Sequence, residues 1–229
     1  SMPVGEDVDL CWRLVDAGWS AWYSADDAWV IHNDRPERRG WTDWARRRFD
    51  YGTSAAPLDR RHRGMVAPLG VSGWSVAAWA AVGAGHPGGG VAVVAGTTAA
   101  LVRKLDFVDD RRGVAELAVR GNLGAGELIG RALIRPWFPL TLAAAVVSRR
   151  ARRVALAAAV GPPLVEWIRR RPPVDLLRWT AISLADDIAY STGVWVGAWR
   201  ERSAGALRPD IHDWPGSTAE PLTARDADR

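Results

Sequence analysis

Cysteine is nearly absent: Cys11 is the only one in 229 residues. That excludes an intramolecular disulfide framework and a thiolate zinc cluster, and suits a reducing, cytoplasmic compartment. Lysine is equally scarce, because Lys104 stands alone and 29 of the 30 basic residues are arginines. The sequence pI of about 9.9 reflects that choice of base. A strong charge of one sign is also missing. Thirty basic against 26 acidic residues leave a net charge of +4, too weak a field to make nucleic acid the default partner. Arginine runs occur at 46–48, 60–63 and 149–153, but no nucleic-acid-binding motif accompanies them. No secretory leader is legible, since Ser1-Met2-Pro3-Val4-Gly5 runs at once into Glu6, Asp7 and Asp9. Nothing upstream of Glu6 is long enough to pack under a helix, so the chain is expected to begin inside a larger fold.

What is present is a core's worth of apolar side chains, 48% hydrophobic, with 14 tryptophans. Val8, Cys11, Trp12 and Val15 recur at helical spacing, predicting a helix over residues 5–19 with Gly18 at its C-terminal cap. Ala21-Trp22-Tyr23 and Ala28-Trp29-Val30-Ile31-His32 read as strands. A second helix is predicted over 40–52. Residues 64–102 carry no Asp, Glu, Lys or Arg and break at His86-Pro87-Gly88-Gly89-Gly90, the pattern of a helical hairpin. Its Ala-, Gly- and Val-rich arms make membrane insertion marginal. Alanine-rich helices follow over 114–160, interrupted at Pro136 and Pro139, with a break at Gly161-Pro162-Pro163. A long helix is predicted over 175–201, and 203–229 shows no periodicity and reads as a mobile tail.

Candidate chemistry begins in the first helix. On a helical wheel Glu6, Asp9, Arg13 and Asp16 share one face, whereas Asp7 falls in the arc of Leu10, Cys11 and Leu14, toward the packed side. A first-turn acid there either caps the helix or serves as a general base stabilised by the helix N-terminus. In the second helix Arg48 lies among Trp41, Trp44, Ala45 and Gly52, away from Arg46 and Arg47. It is either a cation–π partner of tryptophan or an anion ligand. In the long helix Leu177, Ala181, Leu184, Ile188, Trp195 and Trp199 form the predicted docking stripe. Asp186 lies opposite, beside Trp179, Ile182, Tyr190 and Gly193. Asp186 and Asp187 are expected to pair with nearby arginines or to meet an acceptor.

Gly5-Glu6-Asp7-Val8-Asp9-Leu10-Cys11-Trp12-Arg13-Leu14 resembles the "ED" segment of family 2 glycosyltransferases of the GT-A fold. The resemblance implies an inverting transfer with Asp7 as catalytic base. It implies further that His32, 25 positions on, is a ligand to a divalent metal, Mn²⁺ or Mg²⁺. Ala45-Arg46-Arg47-Arg48-Phe49 is similar to the Q-x-x-R-W helix of processive members, with Ala45 and Phe49 departing from it. That match places Arg48 at the donor diphosphate. Gly161-Pro162-Pro163-Leu164-Val165-Glu166-Trp167, Arg170-Arg171-Pro172, Arg178-Trp179-Thr180, Ala185-Asp186-Asp187-Ile188-Ala189-Tyr190 and Gly193-Val194-Trp195 resemble the glycosyltransferases of the mycofactocin system. So does Tyr51-Gly52-Thr53-Ser54-Ala55. The implied reaction moves a hexose, glucose from a UDP-glucose donor, onto a peptide-derived redox cofactor.

Neither the uridine-holding strands nor a D-x-D motif of such an enzyme is found, since Asp26-Asp27 sits after the acidic helix. The chain therefore reads as a C-terminal portion: mainly α, with a small α/β remnant at the N-terminus. Residues 1–58 are expected to be the end of the catalytic domain, 59–202 a helical domain and 203–229 the tail. The implied partners are a nucleotide-sugar donor and a peptide-derived acceptor, with no nucleic acid. Attachment to the inner membrane leaflet stays open. The alternative reading is a non-catalytic, Arg/Trp-rich peripheral membrane module, which has no use for Asp7 on an apolar face.

Overall fold

In the computed structural model, residues 4–20, 22 and 40–213 are described. Of these, 76% are helical and two short parallel strands are present, which makes the fold mainly α as the sequence predicts. The strands predicted at 21–23 and 28–32 lie outside the described residues, apart from Trp22. The chain divides into two compact units, 1–68 with 130–209, and 69–129 with 210–229. The three parts expected from sequence, 1–58, 59–202 and 203–229, are a division by origin that compactness does not decide.

The first unit holds α1 (Glu6–Asp16), α2 (Trp41–Thr53), α3 (Ala55–Arg61), the end of α6 (Arg111–Ile134), α7 (Phe138–Val147), α8 (Arg149–Arg170) and α9 (Leu176–Glu201). Helix α1 ends in a Schellman cap, with Gly18 at φ 84° and Trp19 N–H donating to Leu14 C=O at 2.9 Å. The centre of the unit is the crossing of α2 and α9. Glycine makes it possible: a Cβ on Gly193 would fall 2.1 Å from the Phe49 carbonyl oxygen, and one on Gly197 2.6 Å from that of Thr53. Ala55, Val194 and Ala206 form the core cluster beside it. The side chains of Trp195 and Ser191 both donate to the Pro136 carbonyl, at 2.8 and 3.5 Å, binding α9 to the α6–α7 corner.

Three expectations are corrected here. The α9 face that docks is the one carrying Ser191, Gly193, Val194, Gly197 and Ala198. From the predicted stripe Leu177 and Trp199 are each 80% exposed. Close backbone approach selects small residues, whatever the hydropathy of the opposite face. Gly161-Pro162-Pro163 does not break the chain but lies inside α8. Both prolines are buried, and Pro162 packs on Gly130 of α6, where a Cβ would come within 3.2 Å of its ring. Burial there offsets the lost helix hydrogen bonds. Finally, the stretch from 203 is not structureless. Gly205–Leu207 forms a 3₁₀ turn with Ala206 buried, and Asp210–His212 forms a strand.

The second unit contains β1 (Gly70–Ser72), α4 (Gly73–Gly83), α5 (Pro87–Lys104), α6 through Ile129, and β2 (Asp210–His212). The strands pair in parallel, Val71 opposite Ile211. The Ser72 hydroxyl caps α4 by accepting from the Trp74 N–H. The uncharged stretch does form a hairpin, α4 against α5, but it turns at Gly85 with φ 87°, and Pro87–Gly90 of the expected break are the first turn of α5. Trp79 Nε1 donates to the Asn122 carbonyl at 2.8 Å, and the Ser75 hydroxyl bonds the Asn122 side chain at 2.9 Å. Among the described residues no helix is long and apolar enough to cross a membrane.

Candidate functional site

Helix α1 is entered through Gly5, whose φ of 89° carries the chain past Ser54 and past Leu58 of α3. Gly5 offers no side-chain cap, and the first turn holds Glu6, Asp7 and Asp9. Asp7 Oδ1 accepts the Val8 N–H at 2.9 Å. The Asp7 side chain is exposed and takes part in no ion pair among the described residues. The expectation that it points to the packed side is therefore corrected: the side chain turns to solvent and bonds the next N–H along the chain. The packed acid is Asp9, only 5% exposed.

Asp9 is held from three directions. Arg61 Nη1 donates to Oδ2 at 2.8 Å, His62 Nε2 lies 3.0 Å from Oδ1, and Arg13 Nε stands 3.5 Å from Oδ2. The hydrogen bond with His62, then the Arg61 and Arg13 charges, hold the Asp9 carboxyl below the usual carboxylate range against the opposing effect of burial. His62 is itself buried, with Asp16 Oδ2 3.6 Å from Nδ1 and the Trp12 ring edge-on at 5.1 Å. The polar face of α1 is thus its anchored face. Sequence reasoning missed this cluster; its signals were Asp9, Arg13 and Asp16 on one stripe and a histidine inside the run Arg60-Arg61-His62-Arg63.

Arg48 of α2 forms an ion pair through Nε with Asp186 Oδ1 of α9. Arg135, in the α6–α7 connection, reaches Asp186 at 3.0 Å and Asp187 at 2.7 Å, and its guanidinium lies 4.0 Å over the Tyr190 ring. Asp186 and Asp187 therefore pair with arginines, one of the two roles expected of them. Burial pushes the Asp187 carboxyl and the Tyr190 hydroxyl up, while the nearby Arg135 charge limits both shifts. Burial also opposes the Arg135 charge, but its bonds to Asp187 and Asp186 outweigh that and raise it. Trp41 and Trp44 stack edge to face on each other, their centroids 5.7 Å apart, and the partner found for Arg48 is Asp186, not a tryptophan ring.

Asp7 and Arg48 are not brought into contact, and His32 lies outside the described residues. Among the described residues no group of three or more His, Cys, Asp or Glu side chains could hold a metal ion. The second unit has a cleft of about 680 Å³ lined by Trp74, Ser75, Leu101, Asn122, Leu128 and His212. None of the residues singled out from sequence lies in it.

With this geometry in place, the chain proves similar to pre-mycofactocin glycosyltransferase of Mycobacterium tuberculosis, from strains CDC 1551 / Oshkosh and ATCC 25618 / H37Rv. Identity to each is 40% over 226 residues, taking in 92% of this chain and 46% of the relative. The chain thus spans about half the length of the curated relatives it matches, and the match falls on their C-terminal portion. No family model and no solved structure matches it.

Proposed function

We propose that this chain is the C-terminal portion of an inverting hexosyltransferase that acts on a mycofactocin precursor, a peptide-derived redox cofactor, with UDP-glucose as donor. The observation that carries the reading is 40% identity across 92% of the chain to proteins named pre-mycofactocin glycosyltransferase. Asp7 is the general base. Its carboxylate is exposed and, among the described residues, bonded only to the Val8 N–H, so it can accept the acceptor hydroxyl's proton as that oxygen attacks the anomeric carbon. Asp9, clamped by Arg61 and His62, fixes the helix that carries Asp7. Arg48 meets the departing diphosphate. Asp186 pairs with its Nε, and its Nη groups are the ones proposed to meet the phosphate oxygens.

His32 is proposed as a metal ligand completed by residues of the donor-binding part, and a bound Mn²⁺ or Mg²⁺ would neutralise charge on the diphosphate. Nucleotide sugar is expected to bind this chain alone weakly, and a cytoplasmic site of action follows from the donor's chemistry. The test is UDP-glucose binding and transfer with Mn²⁺, on this chain and on a version extended upstream. The extended form should bind and transfer. Asp7→Asn should lower transfer by roughly 10²–10⁴-fold while sparing donor binding. His32→Ala should reduce the metal dependence. An extended form that neither binds nor transfers would refute the reading.

A further inference from the structure

Helix α7, Phe138–Val147, has ten residues and no charged side chain, yet none of the ten is buried. Only Phe138, Thr141 and Ala145 are half-buried, one narrow strip at helical spacing. Leu140, Leu142, Val146 and Val147 face solvent, the last two 73% and 85% exposed. At about 15 Å its length is half the thickness of a bilayer's hydrocarbon core, so it can lie along a membrane but not cross one.

Ser148 then turns the chain directly into α8, its hydroxyl accepting from the Ala151 N–H at 3.3 Å. The first residues of α8 include Arg149, Arg150, Arg152 and Arg153, with no acid in the first turn. Four cations at a helix N-terminus oppose the helix dipole. Among the described residues none of the four guanidinium groups has a hydrogen bond or ion pair. A local rule broken with no compensating contact marks a feature kept for function. Leu156 and Val160 extend the exposed apolar surface along α8.

We propose that the α7–α8 corner docks on an anionic lipid surface, with α7 lying among the headgroups and acyl-chain tops and the four arginines on lipid phosphates. Charge complementarity selects this occupant. A second copy docked isologously through α7 would bring two clusters of four arginines together. A nucleic acid would leave the aliphatic side chains of α7 in water. The inference stands apart from the transferase reading and uses none of its residues.

The test is co-sedimentation of the 229-residue chain with vesicles of phosphatidylcholine alone or with about one third phosphatidylglycerol. Binding to the anionic vesicles is expected, weakening with added salt. It should weaken at least about 10-fold in R149Q/R150Q/R152Q/R153Q. V146S/V147S should also lose binding, although its charge is unchanged. All six substituted positions are exposed, and an unchanged far-ultraviolet circular dichroism spectrum checks that the variants fold. Four outcomes would overturn the proposal: no binding to anionic vesicles, equal binding to neutral ones, unaltered binding by both variants, or salt-sensitive binding to a DNA duplex in place of vesicles. Dimerisation abolished by V146S/V147S, without vesicle binding, would assign the surface to a second copy instead.

Discussion

Two carboxylates two positions apart in α1 have opposite surroundings, and the difference decides what each can do. Asp7 is exposed and caps a backbone N–H; Asp9 is buried among His62, Arg61 and Arg13. Because the folded state depresses the Asp9 carboxyl, its stabilising contribution is present above the ordinary carboxylate value of about 3.9. It is lost as pH falls through the lowered folded value. The thermal midpoint should therefore drop on acidification below about pH 4. Asp9→Asn should lower the midpoint at neutral pH and flatten that acid limb, whereas Asp7→Asn should do neither. Melting curves of the three proteins between pH 3 and 7 decide it, and an unaltered acid limb in Asp9→Asn would assign that limb to other carboxylates. Asp187 runs the other way: burial raises it, so its contribution is present in acid and lost as pH rises through its raised folded value. The acid pair at 6–7 was legible because it is a local motif. The clamp on Asp9 was not, because its partners Arg61 and His62 are more than fifty residues away.

At the scale of elements, most helix positions were legible, α3 and the unbroken α8 excepted, and helix faces were not. The predicted helix over 175–201 is found at 176–201, N-capped by Asp175, whose carboxylate accepts the Arg178 N–H. Its wheel nonetheless pointed the wrong face inward, since side-chain hydropathy says nothing of how closely two backbones approach. The α2–α9 contact is set by glycine, and the obstructing atoms at Gly193 and Gly197 are backbone oxygens that cannot swing aside. Gly193→Ala should thus destabilise by about 1–3 kcal/mol or more. Leu177→Ser and Trp199→Ser, both on the exposed stripe, should stay within about 0.5 kcal/mol. Urea denaturation measures all three. A large loss from the stripe variants with a small one from Gly193→Ala would restore the wheel's docking face. Pro162 and Pro163 teach the same lesson, because the proline rule describes an isolated helix and here Gly130 provides a packing surface for the ring.

For the molecule as a whole, the similarity to a transferase was legible because it rests on side-chain identities spread from residue 5 to past 190. The closure of the second unit was not, because β1 and β2 are three residues each, too short for periodicity, and lie about 140 positions apart. That pairing makes the unit discontinuous in sequence. Its N-terminal edge, Leu69 to Ser72, is tied down by Asp210–His212, including a bond from the Asp210 N–H to the Leu69 carbonyl at 2.8 Å. His212 and Asp213 also complete the wall of the cleft. A chain ending at Pro209 would leave β1 without a partner, and a lone three-residue strand has no stability of its own. Hydrogen exchange should then quicken at the β1 amides and the first turn of α4, where Ser72 provides the cap. The α2–α9 crossing, whose contacts lie wholly in the first unit, should keep its protection. Equal acceleration in both units would show that they open as one cooperative body, and unchanged exchange at β1 would show that the strand pair contributes nothing to the unit it closes.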